Sequence, residues 1–270
     1  MTGSLHSHLV ASRYVAGRNV DVWCPSGDAP AGGRPVVYMY DGQNVFDPRL
    51  AYGGTDWGVV EAAQQLADAG LMAPVVVGIW NAGMDRYAEY RPDLPADPAT
   101  AAPARTPDGA IAPAPTSLAY LRAIVEEIKP LVDATYPVNP DREHTFVMGA
   151  SLGGLISLFA LATYPEVFGG AACLSSHWPI GGDPLVDAAA AAVPPAGRHR
   201  LYLDHGTLGL DADYGPFQER FDRQLAARGF VRGRDWVSLV FEGADHNEAS
   251  WRGRVAIPLR YLLTGSLPDA

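Results

Sequence analysis

Positive charge is scarce in this sequence of 270 residues. Lys129 is the only lysine, and 30 acidic residues outweigh the 20 Lys and Arg residues, which leaves a formal net charge of −10. Proteins that bind nucleic acids or anionic membrane surfaces usually present clustered basic side chains to the phosphate groups. The composition therefore argues against a nucleic-acid partner and against a polybasic membrane-surface protein.

Cysteine is also rare, since Cys24 and Cys173 are the only two in the chain. Both lie in apolar stretches that are typical of strands, and neither has a basic neighbour in sequence. Such cysteines are more often buried free thiols than a disulfide in a protein of this kind. We therefore expect neither a disulfide framework nor a cysteine nucleophile.

Long hydrophobic runs are missing as well. No segment approaches the length of a membrane span, and residues 1–8 contain neither the basic nor the apolar region of a secretory signal. Hydrophobic residues make up 48% of the chain and charged residues 19%, which is ordinary for a globular protein. These absences predict no membrane association and a cytoplasmic location.

Apolar runs of strand length alternate with amphipathic stretches along most of the chain. Residues 35–40, 74–79 and 145–148 indicate buried strands, whereas 117–135 and 248–262 indicate helices. This alternation predicts an α/β fold with a mostly parallel sheet and helices on both faces, in a single domain spanning 1–270. Residues 92–116, rich in Ala and Pro and without hydrophobic periodicity, are interpreted either as a surface loop or as a flap over a pocket.

The most informative motif is the run Gly-Ala-Ser-Leu-Gly at residues 149–153. It lies between a predicted buried strand and a predicted helix, which is the setting of the nucleophile elbow in serine hydrolases. The flanking positions must be small because the turn is tight, and the turn exposes the serine hydroxyl. We therefore predict that Ser151 is a nucleophile. The alternative is that this serine only caps a close strand-to-helix turn.

A serine hydroxyl needs a base and an acid partner, which come from distant parts of the sequence. His246 follows the final predicted strand and fits the base, with a helix-capping or exposed loop histidine as the alternative. For the acid, Asp211 is the first candidate, Asp204 the second and Asp213 the third. The acid would orient the imidazole and stabilise its cation, although Asp211 or Asp213 could instead cap the following helix.

An oxyanion hole requires two backbone N–H donors near the nucleophile. The first is the N–H of Leu152, which directly follows Ser151 at the start of the predicted helix. The second is assigned to Gln43, in the loop after the strand at 35–40. Other side chains are expected at the mouth of the pocket because they follow the oxyanion loop, a strand end or His246: Trp57, Arg86, Glu89, Tyr90, His177, Trp178 and Trp251. The alternative for each is partial burial in the core, and for Arg86 with Glu89 it is also a surface ion pair.

Several of these segments together resemble the esterase D-like esterases of the α/β-hydrolase superfamily, which include feruloyl, acetylxylan and siderophore esterases and mycolyltransferases. The segments that carry the resemblance are 36–46, 86–92, 149–154, 164–170 and 243–246. The resemblance implies an α/β-hydrolase fold and a Ser-Asp-His hydrolase without a metal ion or organic cofactor. It supports Ser151, His246 and Asp211 as the triad.

Three hypotheses for the function follow. The first is a serine carboxylic ester hydrolase that acts on a small-molecule ester through an acyl-enzyme intermediate. The second is an acyltransferase that uses the same triad, with an alcohol or sugar in place of water. The third is a non-catalytic binding module on a hydrolase fold, which the presence of candidates for all three triad positions disfavours. The oligomeric state and the identity of the ester are left open.

Overall fold

One sheet of eight strands organises the computed structural model, which describes residues 3–94 and 113–268. The order across the sheet is β1-β2-β4-β3-β5-β6-β7-β8. Strands β1 and β2 are antiparallel to their neighbours, and all the other pairs are parallel. The strands are β1 (Gly3–Val10), β2 (Arg18–Pro25), β3 (Val36–Tyr40), β4 (Val75–Ile79), β5 (Thr145–Ala150), β6 (Gly170–Leu174), β7 (Arg200–Gly206) and β8 (Trp236–Phe241).

The central strands are buried on both faces, which explains why their sequences are almost continuously apolar. Along β3, the side chains of Tyr38 and Tyr40 enter one hydrophobic layer, while those of Val37 and Met39 enter the other. Helices cover both layers. The prediction of a mostly parallel α/β sheet is confirmed. Both cysteines are free thiols, of which Cys173 is buried as predicted, whereas Cys24 is only partly buried.

The helices of the described ranges lie between the strands, with short 3₁₀ turns at several strand ends. They are α1 (Val59–Asp68), α2 (Arg86–Glu89), α3 (Ser117–Ala123), α4 (Lys129–Thr135), α5 (Leu152–Thr163), α6 (Gly182–Ala192), α7 (Gly215–Ala227), α8 (Glu248–Arg252) and α9 (Ala256–Thr264). None of them is long and apolar enough to cross a membrane.

Two predicted helices contain irregularities that proline explains. A π-helical turn at Ile124–Ile128 joins α3 to α4, next to Pro130, which lacks the N–H that a regular helix requires. The prediction of a single helix over 248–262 is wrong, because α8 ends at Arg252 and α9 begins at Ala256. Pro258 is tolerated only in the first turn of a helix, so a new helix must begin just before it.

The prediction of a loop or flap at 92–116 falls largely outside the described residues. Its two described ends lie close together: the N–H of Asp93 donates to Ser117 Oγ at 3.0 Å, and Arg91 Nη2 donates to the carbonyl of Pro113 at 2.6 Å. The segment therefore leaves and re-enters the described structure at nearly the same place, beside α2 and α3.

Candidate active site

The polar residues of the candidate site follow the carboxyl ends of the parallel strands. Asp41 follows β3, Asn81 follows β4 closely, Ser151 follows β5 and Ser175 follows β6. In open α/β sheets this edge is where ligands bind, because the loops after neighbouring strands converge there. The topology thus brings together residues that are far apart in sequence.

Ser151 occupies a sharp turn between β5 and α5. Its backbone has φ of 60° and ψ of −124°, and its N–H donates to the carbonyl of Leu174 at 3.0 Å. A positive φ is unusual for a residue other than glycine and costs of order 1–3 kcal/mol. The turn also demands a small residue before it, because a Cβ on Gly149 would lie 2.7 Å from the carbonyl carbon of Gly153. The local geometry is therefore that of a nucleophile elbow.

His246 lies in the loop between β8 and α8 and points toward the same cavity as Ser151. Its Nδ1 is 2.6 Å from Asp211 Oδ1. Two aromatic rings pack edge-to-face with the imidazole: the ring of Trp251 at 5.1 Å and that of Tyr214 at 5.6 Å between centroids. The bond at Nδ1 and these two rings hold the imidazole in a defined orientation.

The carboxylate of Asp211 is almost completely buried, with 1% of its surface exposed. Its second oxygen, Oδ2, accepts hydrogen bonds from Ser175 Oγ at 2.6 Å and from the N–H of Gly206 at 2.7 Å. Burial alone would raise the pKa of Asp211, but the bonds from His246, Ser175 and Gly206 outweigh it and hold that pKa below its usual value. The group is therefore suited to remain an anion next to the imidazole.

The other two candidate acids are placed differently. Asp204, still within β7, accepts two hydrogen bonds from Arg254 and one from the hydroxyl of Tyr202. Burial raises its pKa in spite of those bonds. Asp213 is exposed at the end of a 3₁₀ turn. Of the three carboxylates, Asp211 is the one that contacts His246.

The two predicted oxyanion donors, Leu152 and Gln43, lie on different elements, α5 and the loop after β3. Leu152 is the first residue of α5, where backbone N–H groups have no partner within the helix. Gln43 lines the cavity, and its side-chain oxygen accepts from the N–H of Asn81 at 3.2 Å. The loop carrying Gln43 approaches β4 so closely that a Cβ on Gly42 would lie 2.3 Å from the carbonyl carbon of Gly78.

A cavity of about 380 Å³ opens beside Ser151 and His246. Trp57 and Trp251 line one part of it, stacked with 5.5 Å between ring centroids and an interplanar angle of 26°. Arg86 lines another part, where it makes two hydrogen bonds of 2.7 Å to the carboxylate of Asp41. Because that carboxylate already neutralises the guanidinium, Arg86 presents a polar wall rather than an uncompensated charge.

Other predicted substrate contacts lie elsewhere. Glu89 is buried against Arg18, at 2.6 Å, and Tyr90 is fully buried with its hydroxyl 3.2 Å from the N–H of Asp41. Trp178 packs in the core against Phe221. These three residues do not line the cavity, because the chain turns their side chains inward after the strand ends.

His177 is near the site but also outside the cavity lining. Its ring atom Nδ1 lies 2.5 Å from the hydroxyl of Tyr214, and its backbone N–H donates to the carbonyl of Ser151. Burial, reinforced by the nearby His246 and Arg86, lowers the pKa of His177 to about 4. The imidazole is therefore neutral at physiological pH, while the backbone of His177 helps to support the elbow.

Sequence reasoning did not single out several residues at the site. Asp41, Asn44, Asn81 and Glu248 line the cavity, and Glu248 Oε1 accepts from Asn44 Nδ2 at 3.1 Å. A usable signal existed for Asp41 and Asn81, because both follow buried strands at the edge where ligands bind. No such signal marked the pairing of Asn44 with Glu248, which joins distant parts of the sequence.

Comparison with known proteins places this geometry in a wider context. A family model described as "Putative esterase" matches residues 15–260. The chain is 32% identical to the uncharacterized protein YbbA of Bacillus subtilis, over 66% of this chain and 62% of that protein. It is 30% identical to the ferri-bacillibactin esterase BesA of the same organism, over 57% of this chain and 52% of BesA. The matched part therefore spans less than two thirds of these relatives.

The solved structure of the BES protein from Bacillus cereus superposes with a TM-score of 0.71 and 18% identity, covering 97% of each chain. At that identity the superposition establishes the fold. The predicted α/β-hydrolase architecture is confirmed.

Proposed function

The chain belongs to the esterase family whose model matches residues 15–260, and from this membership and the site geometry we propose that it is a serine carboxylic ester hydrolase. The observation that carries the proposal is the 2.6 Å contact between His246 and the buried Asp211 in a cavity that Ser151 also lines. The functional residues are Ser151 as nucleophile, His246 as base and Asp211 as the acid that orients it.

In this mechanism Ser151 Oγ attacks the ester carbonyl carbon while its proton passes to His246 Nε2. The imidazolium then donates that proton to the leaving alcohol, and the carbonyl group stays on Ser151 as an acyl-enzyme. A water molecule, deprotonated by His246, then attacks the acyl carbon. The bond to Ser151 Oγ breaks, the imidazolium returns its proton to that oxygen, and the acid leaves. Asp211 remains ionised throughout, in agreement with the hydrogen bonds that lower its pKa. These steps require no metal ion or organic cofactor.

The negative oxygen of each tetrahedral intermediate would be bound by the N–H groups of Gln43 and Leu152. Each such donor typically contributes about 100- to 1000-fold to the rate. Support comes from their positions, Gln43 at the cavity and Leu152 at the first turn of α5. We assign them to the oxyanion hole on this basis.

The proposed substrate is a small-molecule ester. Two relatives are named as the ferri-bacillibactin esterase of Bacillus subtilis and the iron(III) enterobactin esterase of Dickeya dadantii. The stacked Trp57 and Trp251 offer an apolar wall, and Arg86 with Asp41 offers a polar one, which suits an ester that has both a flat ring and polar groups. A siderophore-type ester combines these features.

The test compares Ser151→Ala, His246→Ala and the double variant with the wild type on p-nitrophenyl, feruloyl, acetylated-sugar and trilactone esters. Each single variant should lose about 10⁴-fold or more in kcat, and the double variant should be little worse, because the groups act as one unit. His6→Ala, an exposed histidine on the edge strand β1, is the matched control.

Two outcomes would reject the proposal: additive losses, or a wild type that neither hydrolyses any ester nor labels at Ser151 with a fluorophosphonate. Addition of an alcohol acceptor separates hydrolysis from transfer. Formation of a new ester in place of the free acid would assign the protein as an acyltransferase.

A further inference from the structure

The hydroxyl of Ser175 lies directly behind the carboxylate of Asp211, on the side away from His246. Ser175 Oγ donates to Asp211 Oδ2 at 2.6 Å. The same oxygen accepts from Arg254 Nη2 at 3.0 Å and from Trp251 Nε1 at 3.1 Å. Ser175 is fully buried, so these protein groups take the place of water around it.

The direction of these bonds follows from the chemistry of the partners. A guanidinium and an indole N–H are donors only, and a hydroxyl has one proton and two lone pairs. Arg254 and Trp251 therefore occupy both lone pairs of Ser175 Oγ. The only remaining position for the hydroxyl proton is toward Asp211. The serine cannot rotate its proton elsewhere without breaking a bond to a buried donor.

Arg254 is in turn held by Asp204. Its Nε donates to Asp204 Oδ2 at 3.1 Å and its Nη2 to Oδ1 at 3.0 Å, with both side chains almost completely buried. The two charges compensate each other, so Arg254 does not place a bare cation beside Asp211. Of Arg254, Asp204 and Ser175, only the neutral hydroxyl of Ser175 binds the carboxylate of Asp211. Asp204, the second candidate for the acid in the sequence analysis, is therefore the partner of Arg254 and not of His246.

The backbone of Ser175 adopts a conformation that is unusual for a serine. Its φ of 42° lies in the left-handed region, which non-glycine residues rarely adopt. Its N–H donates to the carbonyl of Asp204 at 2.8 Å, which holds this conformation. Glycine would occupy the same conformation without strain, yet it would lack the hydroxyl.

We propose that Ser175 is a positioning residue for the acid of the triad, held in place by Arg254, Trp251 and Asp204. With Ser175 and the N–H of Gly206 both bound to Oδ2, the carboxylate of Asp211 cannot rotate, and its Oδ1 faces His246. The proposal rests on the proposed function, since positioning matters only if Asp211 and His246 take part in catalysis.

The test replaces Ser175 by alanine and by glycine. Both variants remove the hydroxyl. Ser175→Gly also relieves the backbone strain, so the glycine variant can still be measured if Ser175→Ala folds poorly. We expect kcat for ester hydrolysis to fall about 10- to 100-fold, the range for loss of a hydrogen bond to a charged group. KM should change little, because Ser175 does not line the cavity.

The matched control is Ser176→Ala. Ser176 is the adjacent residue, is equally buried, and its hydroxyl has no hydrogen-bond partner among the described residues. Removal of its hydroxyl should leave kcat and KM unchanged. An equal loss in Ser176→Ala would show that packing in this region, rather than the bond to Asp211, controls the rate, and would overturn the proposal.

A second readout does not depend on turnover. Because the hydrogen bond from Ser175 helps to lower the pKa of Asp211, its loss should raise that pKa, as measured by carbon NMR titration of the Asp211 carboxylate. Folded Ser175 variants with wild-type kcat and an unchanged Asp211 pKa would overturn the proposal. A wild type without ester hydrolysis would instead reject the proposed function, while the NMR titration would still measure the bond.

Discussion

Arg254 donates hydrogen bonds to both oxygens of the Asp204 carboxylate, at 3.0 and 3.1 Å, and both side chains are almost completely buried beside β7. This pairing occupies both oxygens of Asp204, which lies in β7 a few residues before Asp211. It leaves Asp211 as the carboxylate that faces His246. What distinguishes the two carboxylates is thus the side chain that binds each one, and not its distance from the end of β7.

The first prediction distinguishes the two acids by their amide variants. Asp211→Asn should lower kcat by about 10⁴-fold, because an amide favours the wrong imidazole tautomer. Asp204→Asn should lower kcat by about tenfold at most, but should reduce the free energy of unfolding by about 3–5 kcal/mol because the charge of Arg254 is left buried and unpaired. Steady-state kinetics and urea denaturation measure the two effects. The reverse pattern would make Asp204 the acid.

A second prediction concerns the loop that carries Gln43. In Gly42→Ala the new Cβ would meet the backbone of Gly78 at 2.3 Å, so the loop must shift and the Gln43 N–H must move with it. We expect kcat to fall about 100- to 1000-fold, the loss typical of one oxyanion donor.

The control for that variant is Gly32→Ala. Gly32 is exposed, and the nearest atom to its added Cβ is the side-chain nitrogen of Asn139 at 3.7 Å. This substitution should leave kcat unchanged. Full activity of a folded Gly42→Ala protein would remove Gln43 from the proposed oxyanion hole.

A third prediction follows from the pKa of His177, which burial lowers to about 4. Between that value and the ordinary value of about 6.5, the unfolded chain binds a proton that the folded protein does not. Stability therefore rises with pH across this window and is lost as the pH falls through it. The groups that face His177 are His246, Arg86, Asp211 and Tyr214.

The measurement is the free energy of unfolding from pH 4 to pH 7 for the wild type and for His177→Gln. Glutamine does not titrate, so the variant should show a flatter dependence on pH in this range. The exposed His144→Gln is the control and should retain the wild-type slope. Equal slopes in all three proteins would argue that His177 is not held neutral.

A fourth prediction concerns Glu248 at the cavity wall. Burial, with the nearby Asp41 adding to it, raises the pKa of Glu248. Its ionisation therefore costs stability at neutral pH. That cost decreases as the pH falls below the pKa of the folded state and is gone below the ordinary pKa of about 4.5. Glu248→Gln keeps an acceptor for Asn44 Nδ2 without the charge.

We expect Glu248→Gln to have a higher Tm than the wild type at pH 8, and expect this difference to disappear near pH 4. Thermal unfolding at both pH values measures it. Glu242→Gln, an exposed position in the loop after β8, serves as the control and should not change Tm at either pH. A lower Tm for Glu248→Gln at pH 8 would show that the charge of Glu248 stabilises the site.

The parts of this protein that could be predicted from the sequence are those that depend on short-range patterns. Apolar runs bounded by Gly and Pro indicated the parallel strands, and the small residues around Ser151 indicated a tight turn between a strand and a helix. The interruption at Arg252–Ala256 was missed because the apolar periodicity continues through it, although Pro258 carried the signal.

What only the tertiary structure decided is the partner of each buried polar group. Glu89 and Trp178 follow strand ends as the cavity residues do, yet Arg18 and Phe221 draw them into the interior. The sequence alone placed Ser151 at its turn and left three carboxylates open for His246. In the tertiary structure Arg254 pairs with Asp204 and His246 contacts Asp211, because a buried charge must be paired and these pairings join residues far apart in the chain.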